Sequence, residues 1–308
     1  MATEPRTVLI ECAPISTPNR AAALYATALD YWALTKPDVN FLILITTFVA
    51  FRLALNGGAP RTGTVIHTLV GTLLVASGAA ALNQFLERSF DAQMRRTARR
   101  PLASGRISPS NALWFGISLS VAGALYLAAL NLLTALLAGT TLLSYLFLYT
   151  PLKRRTPLCT LVGAIPGAAP PLIGWAAARG RLDTTAWVLY LIVFLWQFPH
   201  FMAIAWMYRV DYARAGYHVL PSQDSRDRMA TWQSFACSLA LVPVAFIPSV
   251  IGDSGAVYSL GAALFGLGFL YFSERFAFHR SSTTARQLLV SSILYLPLLF
   301  TLLVLDKR

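Results

Sequence analysis

The stretch Gln287-Leu-Leu-Val-Ser-Ser-Ile-Leu-Tyr-Leu-Pro-Leu-Leu-Phe-Thr-Leu-Leu-Val-Leu305 contains nineteen residues and no charged side chain. A helix of nineteen residues is about 28 Å long, which matches the roughly 30 Å thickness of the hydrocarbon core of a bilayer. The stretch therefore predicts a helix that crosses a membrane.

Apolar stretches of similar length recur along the whole chain. They lie at about 38–56, 64–86, 110–130, 132–150, 158–178, 184–208, 232–252, 255–275 and 287–305. The composition agrees, with 56% hydrophobic residues, 12% charged residues and a mean hydropathy of +0.58, whereas soluble domains carry about 25% charged residues. Backbone groups in lipid must hydrogen-bond within the protein, and these stretches lack the alternation of barrel strands. We predict an all-α membrane protein, a bundle of about nine transmembrane helices.

Positive charge is distributed unevenly between the two ends of these helices. One side of the membrane carries 19 of the 25 Lys and Arg residues. The segments on that side are 1–37, 87–109, 151–157, 209–231 and 276–286, with the adjoining Arg275. The positive-inside rule places that side, and with it the N-terminus, in the cytoplasm. Charge placement thus accounts for the net charge of +12, and we expect no nucleic-acid partner.

The first 37 residues lack the layout of a signal peptide, so we expect a retained cytoplasmic tail at 1–37 and one membrane domain at 38–308. No Arg- and Ser-rich transit segment precedes the first span. We therefore expect a multi-pass protein of a bacterial inner (plasma) membrane, with its polar site on the cytoplasmic side.

A polar cluster ends the second span, where the chain reads Asn83-Gln-Phe-Leu-Glu87-Arg88-Ser-Phe-Asp91. Asn83, Glu87 and Asp91 are four residues apart, so a helix carries them on one face. Two carboxylates and an amide oxygen suit Mg²⁺, which also takes ligands from substrate phosphates. The cluster predicts a Mg²⁺ site, and an ordinary charged helix end at the membrane boundary is the alternative.

An arginine-rich loop follows this cluster. Its five arginines within twelve residues are Arg95, Arg96, Arg99, Arg100 and Arg106. Topology explains two or three of them, whereas guanidinium groups beside carboxylates provide the two halves of a diphosphate clamp. Anionic lipid headgroups are the alternative ligand. The substrate-binding candidates in this region are Arg88, Arg96 and Arg100.

The fourth span ends with Tyr149-Thr-Pro-Leu-Lys153-Arg154. In a functional interpretation Lys153 and Arg154 are further phosphate donors, and Tyr149 faces a cation through its ring or hydroxyl. Positive-inside anchoring, with Tyr149 in the aromatic belt, explains these residues equally well.

The fifth span contains Gly163-Ala-Ile-Pro-Gly-Ala-Ala-Pro-Pro-Leu-Ile-Gly-Trp175. Prolines kink helices, and small residues allow neighbouring helices to approach closely. A straight helix that faces lipid is therefore not expected here.

The sixth span carries Gln197 and His200 in an otherwise apolar helix. These two residues either bind a substrate or hydrogen-bond to another helix. Asp211 follows on the cytoplasmic side, where it is a candidate ligand for a second metal ion or a partner for Arg209 or Arg214.

Together, these stretches resemble the UbiA-type intramembrane prenyltransferases, and within them the enzymes that farnesylate haem. The matching patterns are N-x-x-x-[DE]-x-x-x-D and R-T-x-x-R-P-L-x-x-G within 83–106, Y-T-x-x-K-R-x-T at 149–156, G-A-x-P-P-x-x-G-W within 163–175, and W-Q-x-P-H-F, D-Y-x-x-A-G and L-P within 196–221. The first pattern marks the superfamily, whereas W-Q-x-P-H-F and D-Y-x-x-A-G are more specific to the haem enzymes.

The resemblance implies a UbiA-type fold and the Mg²⁺-dependent transfer of a farnesyl group from farnesyl diphosphate to the 2-vinyl group of haem B, which gives haem O. A haem A synthase is a candidate partner, and the sequence leaves open whether the two proteins pair. By position, it implies Asn83, Glu87 and Asp91 as a first metal motif and Asp211 as the remnant of a second. The catalytic candidates are Asn83, Glu87, Asp91, Tyr149, Lys153 and Asp211, and the further substrate-binding candidates are Arg154, Gln197 and His200.

Two positions depart from the family pattern. Many members have Asp where this chain has Glu87, and the wider superfamily has a second acid where this chain has Met207, four residues before Asp211. The second departure weakens the case for a second Mg²⁺. Two alternative functions remain open, a prenyltransferase that acts on a quinone or chlorophyll precursor, and a membrane transporter.

Overall fold

The computed structural model describes residues 20–55, 62–218 and 224–308, and in these ranges every regular element is helical. The helices are α1 (Arg20–Leu34), α2 (Pro37–Ala54), α3 (Thr62–Asp91), α4 (Pro109–Ala128), α5 (Leu132–Leu143), α6 (Thr150–Leu152), α7 (Cys159–Gly167), α8 (Pro170–Arg179), α9 (Thr184–Met207), α10 (Arg209–Arg214), α11 (Asp224–Val250), α12 (Ala256–Phe278) and α13 (Ser282–Leu305). A π-helical turn at Ser144–Tyr149 joins α5 to α6.

Nine helical segments of the described residues are long and apolar enough to cross a membrane. Seven of them are single helices or parts of one. The other two are composite, because Leu132–Leu152 joins α5, the π turn and α6, and Cys159–Arg179 joins α7 and α8. The predicted number of spans is confirmed. The second span continues to Asp91, so the whole polar cluster lies on the membrane helix.

Helix α1 is an element that the sequence analysis did not predict, since it treated residues 1–37 as a tail. Its fifteen residues are too few to cross a bilayer, but six of them are alanine, the residue with the highest helix propensity. Residues 1–19 lie outside the described part of the chain, as do Leu220 and Pro221 of the L-P pattern.

Glycines set the closest approaches between spans. A Cβ atom on Gly174 in α8 would lie 2.0 Å from the carbonyl oxygen of Thr47 in α2. A Cβ on Gly78 in α3 would lie 2.7 Å from the carbonyl oxygen of Gly116 in α4. Backbones therefore pack directly on one another at these points, as is common between membrane helices.

The main hydrophobic core lies between α2, α8, α9, α11, α12 and α13, and Tyr258 and Phe300 are among its fully buried side chains. The outer face of α12 shows the opposite pattern. Leu260, Leu264 and Leu267 lie on one side of that helix and are 73%, 67% and 59% exposed. Large exposed leucines at helical spacing are the surface that a bilayer covers.

The fifth span is broken, as its glycines and prolines predict. Helix α7 ends at Gly167, and α8 begins at Pro170, where proline is favoured at the first helical position. Eight of the ten residues of α8 are buried. The α8 half of this span is therefore an interior element, whereas α7 exposes Leu161 and Ile165 on its outer side.

The close approach of α8 to α2 generates the first prediction. Gly174→Ala should lower the free energy of unfolding by about 1–3 kcal/mol, because the added methyl group would overlap the Thr47 carbonyl and force the helices apart. Gly139→Ala is the control, since a Cβ at Gly139 meets nothing within 4 Å. Thermal unfolding in detergent measures both variants, and equal midpoints would contradict the close packing.

Candidate active site

The polar cluster at the end of α3 is buried. Asn83, Glu87 and Asp91 are only 1%, 6% and 2% exposed, although they lie in the last three turns of the helix. The amide nitrogen of Asn83 donates to Glu87 Oε2 at 2.9 Å, so the two side chains lie on one face, as their spacing predicts. Buried carboxylates need a partner of opposite charge.

Basic side chains from three different segments contact the three residues of the cluster. The contacts are Lys36 Nζ to Asn83 Oδ1 at 2.9 Å, Lys153 Nζ to Glu87 Oε1 at 2.8 Å, and a terminal guanidinium nitrogen of Arg100 to Asp91 Oδ2 at 2.8 Å. The site therefore combines a hard-oxygen group with a group of cations, which are the two parts that binding of a metal–diphosphate complex requires.

Lys36 is a site residue that the sequence analysis missed. It precedes α2 with a left-handed backbone, at φ 52°, and its side chain turns inward to Asn83. Burial, with the positive charges of Arg100 and Lys153, lowers the pKa of Lys36 to about 7. In the sequence, Lys36 is a single basic residue before Pro37 at the start of an apolar span. Such a residue is indistinguishable from the charges that the positive-inside rule places at the ends of spans.

The π turn carries two tyrosines to the same place. Tyr145 donates its hydroxyl to Asn83 Oδ1 at 3.4 Å, and Lys153 Nζ lies 4.5 Å from the centre of the Tyr149 ring. Burial opposes the charge on Lys153, but the neighbouring Tyr149 and Glu87 outweigh burial and hold the pKa of Lys153 well above its ordinary value. Lys153 is therefore a cation at neutral pH. A π-helical turn at this position matches the frequent use of such turns at functional sites.

Two glycines of the fifth span leave room for site residues. A Cβ on Gly163 would lie 2.5 Å from the Tyr149 ring, and a Cβ on Gly167 would lie 2.0 Å from Gln197 Oε1. Gln197 uses that space to donate its amide to the carbonyl oxygen of Ala164 at 3.2 Å. These glycines thus do more than allow helices to pack, because they admit specific side chains.

The loop after α3 folds back against α10. The Arg96 guanidinium lies 4.9 Å from the centre of the Tyr208 ring, and the Arg96 backbone N–H donates to Asp211 Oδ2 at 3.3 Å. Asp211 also lies 3.6 Å from Arg214, which is one of the two pairings that the sequence left open. Asp211 is therefore occupied by basic groups and by the loop backbone.

Two of the predicted substrate-binding arginines lie apart from the acidic cluster. Arg88 is exposed and folds back on its own helix, where it donates to the Phe85 carbonyl oxygen at 2.7 Å. The Arg154 guanidinium stacks on Phe90, 4.2 Å from the ring centre. Of the predicted basic residues, the structure brings Arg100 and Lys153 directly to the cluster.

The donor set fits a magnesium ion. Asn83 Oδ1 and the carboxylates of Glu87 and Asp91 are hard oxygen ligands on one buried face. In the described part of the chain, no three carboxylate, imidazole or thiol groups lie close enough to share a metal ion. The third oxygen donor on this face is accordingly the Asn83 amide, and Asp211 does not join the group.

Tyr217 is a second residue that the sequence analysis missed. It is 7% exposed and packs with Met94 and Tyr212 near the end of α3, after a turn in which Gly216 adopts φ 68°. Its hydroxyl makes no hydrogen bond of 3.5 Å or less among the described residues, but it faces Glu87, and burial together with that carboxylate raises the pKa of Tyr217. Its position directly after the D-Y-x-x-A-G pattern was the available signal.

His200 and Gln197 have different partners. His200 Nδ1 lies 2.8 Å from Ser292 Oγ in α13, and its ring stacks on Trp196 with ring centres 4.9 Å apart. Gln197 bonds to the backbone of α7 and of its own helix. The hydrogen bond between helices that the sequence left open for His200 is therefore present.

A profile of the UbiA prenyltransferase family matches residues 43–300. The chain belongs to the UbiA prenyltransferase family. A protein of Solibacter usitatus named protoheme IX farnesyltransferase is 49% identical over 291 residues, which cover 90% of this chain and 98% of that protein. A protein of Koribacter versatilis with the same name is 40% identical over 304 residues, which cover 96% of this chain and 97% of that protein.

Solved structures of the family share the fold. A structure of digeranylgeranylglyceryl phosphate synthase matches with a TM-score of 0.76 at 14% identity, over 91% of this chain and 98% of that one. A UbiA homologue from Archaeoglobus fulgidus bound to GPP and Mg²⁺ matches with a TM-score of 0.66 at 15% identity, over 89% of this chain and 99% of that one. The expected UbiA-type fold is confirmed.

The buried ion pair between Glu87 and Lys153 generates the second prediction. Lys153→Met should lower the free energy of unfolding by about 3–5 kcal/mol, because it leaves the Glu87 carboxylate buried without a cation. The double variant Glu87→Gln/Lys153→Met should be more stable than Lys153→Met alone. Thermal unfolding of the purified variants measures both effects.

The exposed pair of Arg181 and Asp183 is the matched control, since the Arg181 side chain is 72% exposed. Arg181→Met should change stability by no more than about 1 kcal/mol. If the losses in the Glu87 and Lys153 single variants simply added in the double variant, the pair would not be coupled.

Proposed function

We propose that this enzyme transfers a farnesyl group from farnesyl diphosphate to the 2-vinyl group of protohaem IX (haem B) and so forms haem O. The observation that carries this proposal is the 49% identity, over 90% of the chain, to a relative named protoheme IX farnesyltransferase. The buried group of acids and cations at the end of α3 supports it, because an allylic diphosphate needs both a metal site and basic contacts.

The acidic cluster is the proposed Mg²⁺ site, held by Asn83, Glu87 and Asp91, with Asp211 as a candidate ligand for a second ion. The family member from Archaeoglobus fulgidus bound to GPP and Mg²⁺ supports this assignment. When bound, Mg²⁺ would neutralise charge on the diphosphate leaving group as a Lewis acid.

The chain's own cations carry the remaining electrostatic catalysis. The C–O bond of farnesyl diphosphate breaks, and both electrons leave with the diphosphate. Lys36, Lys153 and Arg100 lie within hydrogen-bonding distance of the metal motif, so a diphosphate bound there would receive their N–H donors. Preorganised positive charge stabilises the developing charge without reorganisation during the reaction.

The farnesyl cation then needs protection from water. The rings of Tyr145 and Tyr149 lie 5.3 Å apart beside the cluster and can face a cation through their π electrons. The vinyl carbon of haem B attacks the farnesyl cation and forms the new C–C bond. Water adds to the resulting carbocation and loses a proton, which gives the hydroxyethylfarnesyl group. No nucleophilic side chain is required.

On the acceptor side, His200 and Gln197 are the proposed haem-facing residues. His200 uses Nδ1 for Ser292, and among the described residues Nε2 has no hydrogen-bond partner. That nitrogen is the atom available to a haem propionate or to the iron.

The positive-inside distribution supports a cytoplasmic active site, since the metal motif and its cations lie at the basic ends of the spans. In a bacterial inner membrane this position gives access to cytoplasmic farnesyl diphosphate. Haem O needs a consumer, and a haem A synthase is the proposed downstream partner.

The two alternatives differ in their products. A prenyltransferase for a quinone or chlorophyll precursor would use the same metal motif with another acceptor. A transporter would carry its polar residues near the middle of the bilayer, whereas here the acids of the cluster lie at one end of the helices.

The direct test is to incubate the purified enzyme with farnesyl diphosphate and haem B, with and without Mg²⁺, and to extract the pigments. Haem O should form only with Mg²⁺ present. A prenylated quinone precursor in a parallel reaction, without haem O, would favour the first alternative, and no prenylated product with any acceptor would favour the second.

The metal motif generates the third prediction. Asp91→Ala and Glu87→Ala should lower the rate of prenyl transfer by about 10² to 10³, because each removes one electrostatic contact at the reacting diphosphate. Glu87→Asp should retain appreciable activity, since it keeps the carboxylate. The measurement is haem O formation per inserted protein, and wild-type turnover in both alanine variants would refute the assignment.

The basic group generates the fourth prediction. Lys36→Met and Arg100→Gln should raise the apparent KM for farnesyl diphosphate about tenfold or more, because each removes a charge-assisted hydrogen bond, while the KM for haem changes little. Arg96 and Arg154, which stack on aromatic rings, should have smaller effects. Arg100→Lys should rescue in part, since the planar fork is lost.

Arg155→Gln is the control for this series, because Arg155 is exposed and makes no contact with the cluster. An unchanged KM for the diphosphate in every variant would show that these basic residues only set the orientation of the spans in the membrane.

The acceptor side generates the fifth prediction. His200→Ala should impair haem binding while the affinity for farnesyl diphosphate is kept, and the haem absorption spectrum should change if iron is ligated. Ser292→Ala is the control, because it removes the bond between helices and leaves the imidazole in place. Equal haem affinity in the wild type and His200→Ala would return this histidine to a structural role.

A further inference from the structure

Helix α1 is held against the bundle at its C-terminal end. Leu34 is fully buried, and its carbonyl oxygen accepts a hydrogen bond from Gln84 at 2.8 Å. Its neighbours in the small hydrophobic core are Ala81, Leu102, Ile107 and Ala112. These residues belong to α3, to the arginine-rich loop and to α4, so α1 lies over the same end of the bundle as the site.

A salt bridge fixes the orientation of α1 about its own axis. Asp30 accepts from Arg106 Nε at 3.0 Å on both carboxylate oxygens, and the Tyr31 ring packs edge-on against Phe115, with centres 4.9 Å apart. Leu34, Tyr31 and Asp30 therefore form the face of α1 that meets the protein.

Another face of α1 carries large apolar side chains with no protein cover. Leu24, Tyr25, Leu29 and Trp32 are 65%, 68%, 48% and 61% exposed. At 100° per residue these four positions fall within an arc of about 140°. Tyr25, Leu29 and Trp32 lie opposite the face that meets the protein, and Leu24 lies at the edge of the arc, two turns before Tyr31. We call these four residues the α1 stripe.

The α1 stripe continues the lipid-facing surface of the spans. Only two residues separate α1 from the first span. Beyond this short connection, Phe41 in α2 and Trp114 in α4 are 68% and 66% exposed. An apolar groove of about 430 Å³ begins at Trp32 and is walled by Phe41, Leu74 and further residues of α2, α3 and α4. The bilayer that covers these spans thus reaches the α1 stripe without interruption.

We propose that α1 is an interfacial helix that lies in the surface of the bilayer, with the α1 stripe inserted among the lipid acyl chains. Interfacial helices bury a face of aromatic and large aliphatic side chains in the headgroup region, and the α1 stripe supplies such a face on a helix that is too short to cross the bilayer. Trp32 and Tyr25 have the amphipathic rings that prefer this depth. The occupant of this face is membrane lipid and not a second protein.

The test measures the depth of α1 in the full-length protein, reconstituted in phosphatidylcholine bilayers. The native cysteines are replaced, and a fluorescent NBD label is placed by Tyr25→Cys in one sample and Ala26→Cys in another. Ala26 is exposed but lies outside the α1 stripe. Quenching by spin-labelled lipids at two depths then locates each label, and iodide reports access from water.

The label at position 25 should lie about 5–10 Å below the headgroup surface and be shielded from iodide, whereas the label at position 26 should be quenched by iodide. Equal iodide quenching at both positions would overturn the proposal. A label at position 25 that is shielded from both iodide and spin-labelled lipid would also overturn it, since protein would then cover the stripe.

A second variant tests whether the stripe itself drives insertion. Leu24→Asp and Trp32→Asp together should move the label at position 25 out into water, because charges in the stripe oppose burial. Both residues are exposed, so the bundle should fold as before. The control is Ala33→Asp, which adds a charge to α1 outside the stripe and leaves the four stripe residues unchanged. A label that stays at its original depth in the double variant would show that the stripe does not hold α1 in lipid.

Discussion

The structure depends on placing two carboxylates inside the end of a membrane helix. Glu87 and Asp91 are almost fully buried, and an isolated charge in such surroundings is strongly unfavourable. Three basic side chains from separate segments approach this helix end: Lys36 before α2, Arg100 in the loop after α3 and Lys153 in the turn after α6. The π turn, the left-handed backbone of Lys36 and the returning loop bring these side chains to one helix face.

The same pairing links stability to function. Under the proposed function, a lysine or arginine that neutralises a carboxylate in this site would also meet the diphosphate, because a phosphate bound beside these carboxylates would lie within reach of the same N–H groups. The glycines of the fifth span follow from this crowding. Gly163 and Gly167 admit Tyr149 and Gln197 into positions where any Cβ atom would collide, so a span that looks like a packing element also shapes the site.

Periodic features could be predicted from the sequence. The length of the apolar stretches predicted nine spans, and the four-residue spacing predicted that Asn83 and Glu87 share a helix face. The glycines and prolines predicted that the fifth span is not a straight helix. Contacts between distant segments could not be predicted in this way. Lys36 lies 47 residues from Asn83, and its type and position match an ordinary boundary charge. Spacing also could not separate Arg100, which reaches Asp91, from Arg88, which folds back on Phe85. Helix α1 was missed because it is too short and too weakly apolar to be recognised as a span, although its six alanines favour a helix.

The separation of Glu87 from Lys153 along the chain has a consequence for biosynthesis. Asn83 has Lys36 upstream of it and Asp91 has Arg100 nine residues later, but the partner of Glu87 is 66 residues downstream. At about 5–20 residues per second, a ribosome needs roughly 3 to 13 s to add Lys153 after Glu87. Until then Glu87 lacks its cationic partner, which favours keeping the last turns of α3 in the aqueous headgroup region. The order of synthesis therefore limits when the site can form.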